Sequence, residues 1–303
     1  VQAAHTHEHV YTMDGLDGVG VSPELVRIVR ARLSIQDEAA DQLQRMLGSV
    51  VDAIADELRD ALGGGRVTDR MRQAILRTRL DEVLDLLDRA GVNDAQARFF
   101  GRYPDLANLA DDGLEAAGVP DAASILDEPG ARVAIDAIVN SHLDAWESTI
   151  ERPMASRLLA AMRSAAVGET LTDLSQRIAT SERRRIGNAV TEARTRMAEF
   201  DRTAQEEAVI QAEAGGAELI RVYLGPMDGI TRPFCRALVG LALTREQIQQ
   251  LNNGQTAVSP LFSGGGYNCR HSWVAMSPDE ARRAGIRRAS GGDVAAANAG
   301  GAR

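Results

Sequence analysis

Apolar residues recur at every third or fourth position over long stretches, and this constrains the chain more than anything else in it: most of its length is committed to helices. Ser22-Pro23-Glu24 marks the first start. Serine accepts from free helix-end N–H groups, proline suits the first helical position, and glutamate meets the positive end of the dipole. Leu43, Leu47, Val50, Ile54, Leu58 and Ala61 then fall on one face, and Gly63-Gly64-Gly65 ends the run. Thr68-Asp69 restarts a helix that carries Leu76, Leu80, Val83, Leu84 and Leu87 and stops at Gly91. A short glycine turn between two amphipathic helices predicts an antiparallel hairpin whose seam is internal core.

Residues 93–128 are broken by Gly101, Pro104, Gly113, Gly118 and Pro120 and read as a surface connector. Another helix spans about Ala131 to Ala166 through Trp146, with Pro153 kinking or restarting it. After Gly168, the stretch from Ser181 to Ala214 reads as a helix on the order of 50 Å long. Its faces are more charged than apolar, which predicts a rod lying across other subunits rather than a core helix.

The pattern changes only toward the C-terminus. Ala217 to Leu224 is β-branched and aromatic, a strand followed by Gly225-Pro226. Thr244-Arg-Glu-Gln247 has capping-box spacing for a short helix ending at Asn252-Asn253-Gly254. His271 to Ala275 reads as a second strand, and Ser277-Pro278-Asp279-Glu280 opens a last short helix. From about Ala289 the chain is small and Gly/Ala-rich, which predicts disorder. The fold class is therefore mainly α: long helices and a helical hairpin with a small α+β C-terminal module. The expected organisation is a flexible segment over 1–21, a helical region over 22–166, a long helix plus a small α+β cap over 167–276, and a short helix with a disordered tail over 277–303. His5, His7 and His9 alternate in the leading segment, which reads as a flexible tail rather than a metal clip.

Composition closes off several classes. Aromatics make up 4%, so the core must come from Leu, Ile, Val, Ala and Met. A net charge of −9 argues against a surface that coats nucleic acid everywhere. All 34 cationic residues are arginine, as a GC-rich genome would produce. No stretch approaches the roughly 20 apolar residues that cross a bilayer. The opening residues lack an apolar run behind a basic cluster, so no secretory signal is expected. Two cysteines do not make a disulfide scaffold, and a reducing cytosol is the expected site of synthesis.

Both cysteines lie between Asp228 and Trp273, with His271 two residues past the second. Three readings compete for them. Cys235, Cys269 and His271 are suitable zinc ligands, with Asp228 as a fourth, although no C-x-x-C pair is present. Alternatively the cysteines form a disulfide, worth about 3–4 kcal/mol by chain entropy. Or they are buried small hydrophobes, with a Cys–His nucleophile pair as a variant. Arg232 and Arg270 flank constrained turns and carry forks suited to a buried carboxylate, for which Asp228 is the obvious partner. Gly264-Gly265-Gly266 permits a tight turn but is not a phosphate loop, since no Lys-Ser/Thr opens a helix after it.

These residues together resemble a known family. Asp228…Thr231-Arg232-Pro233-x-Cys235, Leu238-x-Gly240, Thr244…Ile248…Leu251-x-Asn253-Gly254 and Gly266-Tyr267-Asn268-Cys269-Arg270-His271 are similar to the C-terminal module of the Mu F-like head morphogenesis proteins, the minor head proteins of tailed bacteriophages. The helix bearing Thr191-Glu192 resembles the one that precedes that module. The likeness covers residues 167–275, and Asn268-Cys269-Arg270-His271 stands where some members have His-Pro-x-Cys-Arg.

The resemblance implies a structural virion protein, several copies around the portal inside the head, present in the host cytoplasm during assembly and acting in head assembly, DNA packaging or DNA delivery. Its implied partners are the portal protein, the major capsid or scaffolding protein, and packaged DNA, which Arg282, Arg283, Arg287 and Arg288 would touch. No enzymatic activity follows from it, and no cofactor is expected beyond the zinc that Cys235, Cys269 and His271 could hold. The rivals are a zinc- or thiol-dependent enzyme using Cys235, Cys269 and His271, and a host-encoded helical adaptor.

Overall fold

The computed structural model describes residues 20–61, 65–119, 124 and 127–301. The chain is mainly helical with one small mixed sheet. It divides into two compact units, Ser34–Leu106 with Val133–Phe200, and Val1–Leu33 with Ala107–Arg132 and Asp201–Arg303. The leading segment, with His5, His7 and His9, lies almost wholly outside the described residues. Among those residues no helix is long and apolar enough to cross a membrane.

The helices are α1 (Pro23–Ala61), α2 (Asp69–Arg77), α3 (Leu80–Arg89), α4 (Val92–Phe100), α5 (Tyr103–Ala116), α6 (Pro129–Trp146), α7 (Arg152–Arg163) and α8 (Leu171–Ala214). In α1 the expected face holds: Leu43, Leu47, Val50 and Ile54 are buried. The single helix expected from Thr68 to Gly91 is instead two. Thr78 and Arg79 are extended, and Glu82 reaches back to accept from the Arg79 N–H at 3.4 Å, which restarts the helix. Leu76, expected on the core face, is therefore exposed, and Ile75 is buried in its place.

The supposed surface connector is core as well. Phe99, Tyr103, Leu106, Ala110 and Leu114 are buried at three- and four-residue spacing along α4 and α5. The breakers Gly101 and Pro104 sit at helix ends rather than in loops. Tyr103 stacks on Phe200 at 4.0 Å and shares a 2.8 Å hydrogen bond with His142 Nδ1. Pro153 neither ends nor simply kinks its helix. A π turn over Glu147–Glu151 joins α6 to α7, and the Arg152 N–H bonds to the Glu147 carbonyl five residues back. Widening the helix there accommodates a residue that has no N–H and a ring that crowds the preceding turn.

Helix α8 begins at Leu171, ten residues before the expected start, and runs for 44 residues. It is not a rod waiting for neighbours. Met197, Ala198, Glu199, Phe200, Asp201, Arg202, Ala204 and Glu206 are all buried within this chain. Its inward charges find partners in the same fold, such as Glu206 with Arg221 at 2.8 Å, so burial does not strand them.

The second unit holds β1 (Ile220–Leu224), α9 (Pro233–Leu238), β2 (Leu241–Leu243), α10 (Arg245–Gln249), α11 (Pro260–Ser263), β3 (Ser272–Met276), α12 (Pro278–Arg283), β4 (Arg287–Arg288) and α13 (Gly291–Gly301). The strand order is β3-β1-β2-β4. The pairs β1–β3 and β1–β2 are antiparallel, and β2–β4 is parallel. Ile220, Val222 and Leu224 of β1 point to one face, where they pack with Val274 and Met276 against Leu25, Val26, Val29 and Leu33 of α1. Tyr223 points to the other, into a core with Trp273, Phe234, Leu238, Ile248, Val294 and Ala297.

The expected disordered tail is helix α13 through Gly301. Its small residues allow close approach: a Cβ on Gly300 would stand 2.9 Å from the Phe234 nitrogen. Asp293 caps the helix by accepting from the Ser290 N–H at 2.7 Å, and Asn298 exchanges hydrogen bonds with Asn252 and Gln250.

Candidate functional site

Two turns, 34 residues apart in sequence, bring the cysteines together. The first follows β1. The Thr231 hydroxyl accepts from the Asp228 N–H and lies 2.9 Å from both the Pro226 carbonyl and the Asp228 carboxylate. That turn delivers Pro233 to the first position of α9, where it suits the helix start, and Cys235 then points inward.

The second turn runs from Gly264 to Cys269. Gly264, Gly266 and Asn268 have φ of 56°, 95° and 53°, conformations open to glycine and, among other residues, most readily to asparagine. Gly265 is required for a different reason: a Cβ there would lie 2.2 Å from Cys235 Sγ. Buried Asn253 braces this turn. Its Nδ2 donates to Ser263 Oγ and the Gly264 carbonyl, while its Oδ1 accepts from the Gln255 and Thr256 N–H groups.

Two arginines clasp the turns reciprocally. Arg232 of the first donates to the Gly265 and Tyr267 carbonyls of the second. Arg270 of the second forms an ion pair with Asp228 of the first at 2.7 Å. A third, Arg202 of α8, donates to the carbonyls of Phe262, Cys269 and His271 at 2.8–3.0 Å. Charged donors on neutral carbonyls make these among the stronger hydrogen bonds available.

At the centre, Cys235 Sγ and Cys269 Sγ stand 3.8 Å apart as free cysteines. The Tyr223 hydroxyl lies 3.5 and 3.4 Å from them. His271 Nδ1 is 3.9 Å from Cys269 Sγ, and its ring stacks on Tyr223. The Gly265 N–H points at Cys269 Sγ from 3.1 Å. The cysteines and the histidine are 1%, 4% and 3% exposed, so bulk solvent does not reach them.

The two thiols are not equivalent. The hydrogen bond from Cys235 holds Cys269 below the ordinary thiol range against the cost of burial, helped by His271 and Arg202. Sharing that proton, together with burial, pushes Cys235 up. Burial raises the Tyr223 phenol. The arrangement gathers two thiols, a phenol and an imidazole, a set of soft and borderline donors.

Comparison with known protein families, with curated proteins and with solved structures finds no match to this chain. Cys235, Cys269 and His271 converge as ligand-bearing groups within 4.8 Å of one another. Asp228, expected as a fourth ligand, is not with them. Its carboxylate is taken by Arg270, Thr231 and the Ile230 N–H. These contacts, Arg270 foremost, draw its pKa down to about 2. Tyr267 is 49% exposed and contributes its carbonyl rather than its ring. Arg282 and Arg287 pair with Asp279 and Asp293 on the surface, and Arg283 and Arg288 are exposed beside them.

Sequence reasoning passed over Arg202, Tyr223 and the bracing role of Asn253. The strand period could have found Tyr223, since it alternates with Val222 and Leu224 and must face away from them. Nothing local marks Arg202 among the many charges of α8.

Proposed function

We propose that the chain is a minor head protein of a tailed bacteriophage, associated with the portal and acting in head assembly, DNA packaging or DNA delivery. The observation that supports this reading is the reciprocal clasp. Asp228, Thr231, Arg232, Cys235, Asn253, Gly266, Asn268, Cys269, Arg270 and His271 carry the likeness to the Mu F-like module, and they build one interlocked unit rather than lying scattered. A chance likeness would have no reason to select the residues that join the two turns.

The reading is non-enzymatic. A thiol or zinc enzyme needs a substrate path to the reacting atom, whereas Cys235, Cys269 and His271 are buried, the cysteines in one core with Tyr223, Trp273, Phe234 and Leu238. In this reading the cluster fixes a rigid knob, and the surfaces around it meet the portal, the major capsid or scaffolding protein and packaged DNA.

The experiment uses intact particles of a phage that encodes the chain. Labelled full-length protein is expected in several copies at the portal vertex inside the head, and it should be co-purified by the portal protein. Particles that assemble, fill and infect normally without the gene would overturn the reading.

A further inference from the structure

We propose that Cys235, Cys269 and His271 form a structural zinc site, with the Tyr223 hydroxyl at the fourth position. The inference does not rest on the head-protein reading and holds whatever the chain assembles with.

The spacing of the donors carries it. Two thiolates bound to a tetrahedral zinc at about 2.3 Å each stand roughly 3.8 Å apart, and the sulfurs here are 3.8 Å apart. The phenolic oxygen at 3.5 and 3.4 Å from the two sulfurs, and the imidazole Nδ1 at 3.9 Å from Cys269, stand at the distances that separate neighbouring ligands of one small ion. A disulfide would need the sulfurs at about 2.05 Å and would give the histidine no task.

The histidine supplies an independent observation. His271 is 3% exposed, and its Nδ1 faces only sulfur, 3.9 Å from Cys269 Sγ. Burying an imidazole so poorly satisfied is unfavourable unless it serves the donor cluster it faces. The surroundings are those of a coordinated thiolate: the Gly265 N–H is aimed at Cys269 Sγ, and Arg202 fixes the backbone on both sides of that residue. On binding, each cysteine gives its proton to solvent and the imidazole stays neutral, so two thiolates balance one divalent ion.

The test begins with the full chain purified in reductant without chelator and analysed for metal. One zinc per chain is expected, and C235S and C269S should each lose it. H271N should weaken binding on the order of 100-fold and Y223F roughly 10-fold. The triple variant H5A/H7A/H9A should keep its zinc. Should the serine variants fail to fold, the stripped and reduced wild-type chain is titrated with cobalt(II), which should saturate at one equivalent with a tetrahedral, sulfur-ligated visible spectrum. The proposal is overturned if the reduced wild-type chain takes up no stoichiometric zinc or cobalt, if metal persists in C269S, or if freshly isolated protein holds a Cys235–Cys269 disulfide in place of metal.

Discussion

Arg202 is the residue on which the second turn depends. It satisfies three carbonyls that are otherwise enclosed by protein, and a point charge cannot reproduce that fork. Arg202→Lys should therefore lower unfolding stability by about 2–3 kcal/mol, measured in urea; a loss below ~0.5 kcal/mol would mean that water replaces the missing donors. Asp228 offers a pH test. Its folded pKa of about 2 lies below the ordinary 3.8, so its stabilisation is complete above the ordinary value and is lost as pH falls through the folded one. The carboxylate is 29% exposed, so Asp228→Asn should cost only about 1 kcal/mol at neutral pH. The gap between wild type and variant should close between pH 4 and pH 2, whereas a constant gap would assign the effect to shape rather than charge. That Asp228 pairs with an arginine of these turns was legible in the sequence, because one carboxylate lies near two forks; that the partner is Arg270 rather than Arg232 was not. Arg202 was not, because an inward arginine on a charged helix looks like its outward neighbours.

At the scale of elements, helix starts were legible where a side chain caps them. Ser22, Thr244 and Ser277 all accept the N–H bonds expected of them. The errors arose where composition stood in for packing. Charge on α8 read as the mark of a rod lying across other subunits, yet Glu206 and Arg221 are buried together within this chain. Small residues in α13 read as disorder, yet they allow a helix to approach the backbone of α9. Glycine breakers hid the apolar stripe of α4 and α5. Gly187 in α8 has no conformational or steric need to be glycine, since nothing lies within 4 Å of a Cβ there. Gly187→Ala should raise stability by about 0.5–1 kcal/mol, seen as a higher melting temperature. An unchanged or lower value would show that the helix is strained at that point.

For the molecule as a whole, the mainly helical class and the small C-terminal α+β module were readable from periodicity, but the partnership between distant segments was not. The sheet face bearing Ile220, Val222 and Leu224 is covered by Leu25, Val29 and Leu33 of α1, and no local pattern announces a contact across some 190 residues of chain. A fragment of residues 167–303 would leave that face open to water. It should melt broadly and bind hydrophobic dye, while the full chain unfolds cooperatively; an equally sharp transition in the fragment would refute the dependence. The clasp has a consequence of the same kind. Since each turn lends the other its guanidinium, neither is a part that can be lifted out and grafted elsewhere. Variation in length is best absorbed at the exposed Ala257, beyond the groups that Asn253 holds, where the chain can grow without parting the sulfurs.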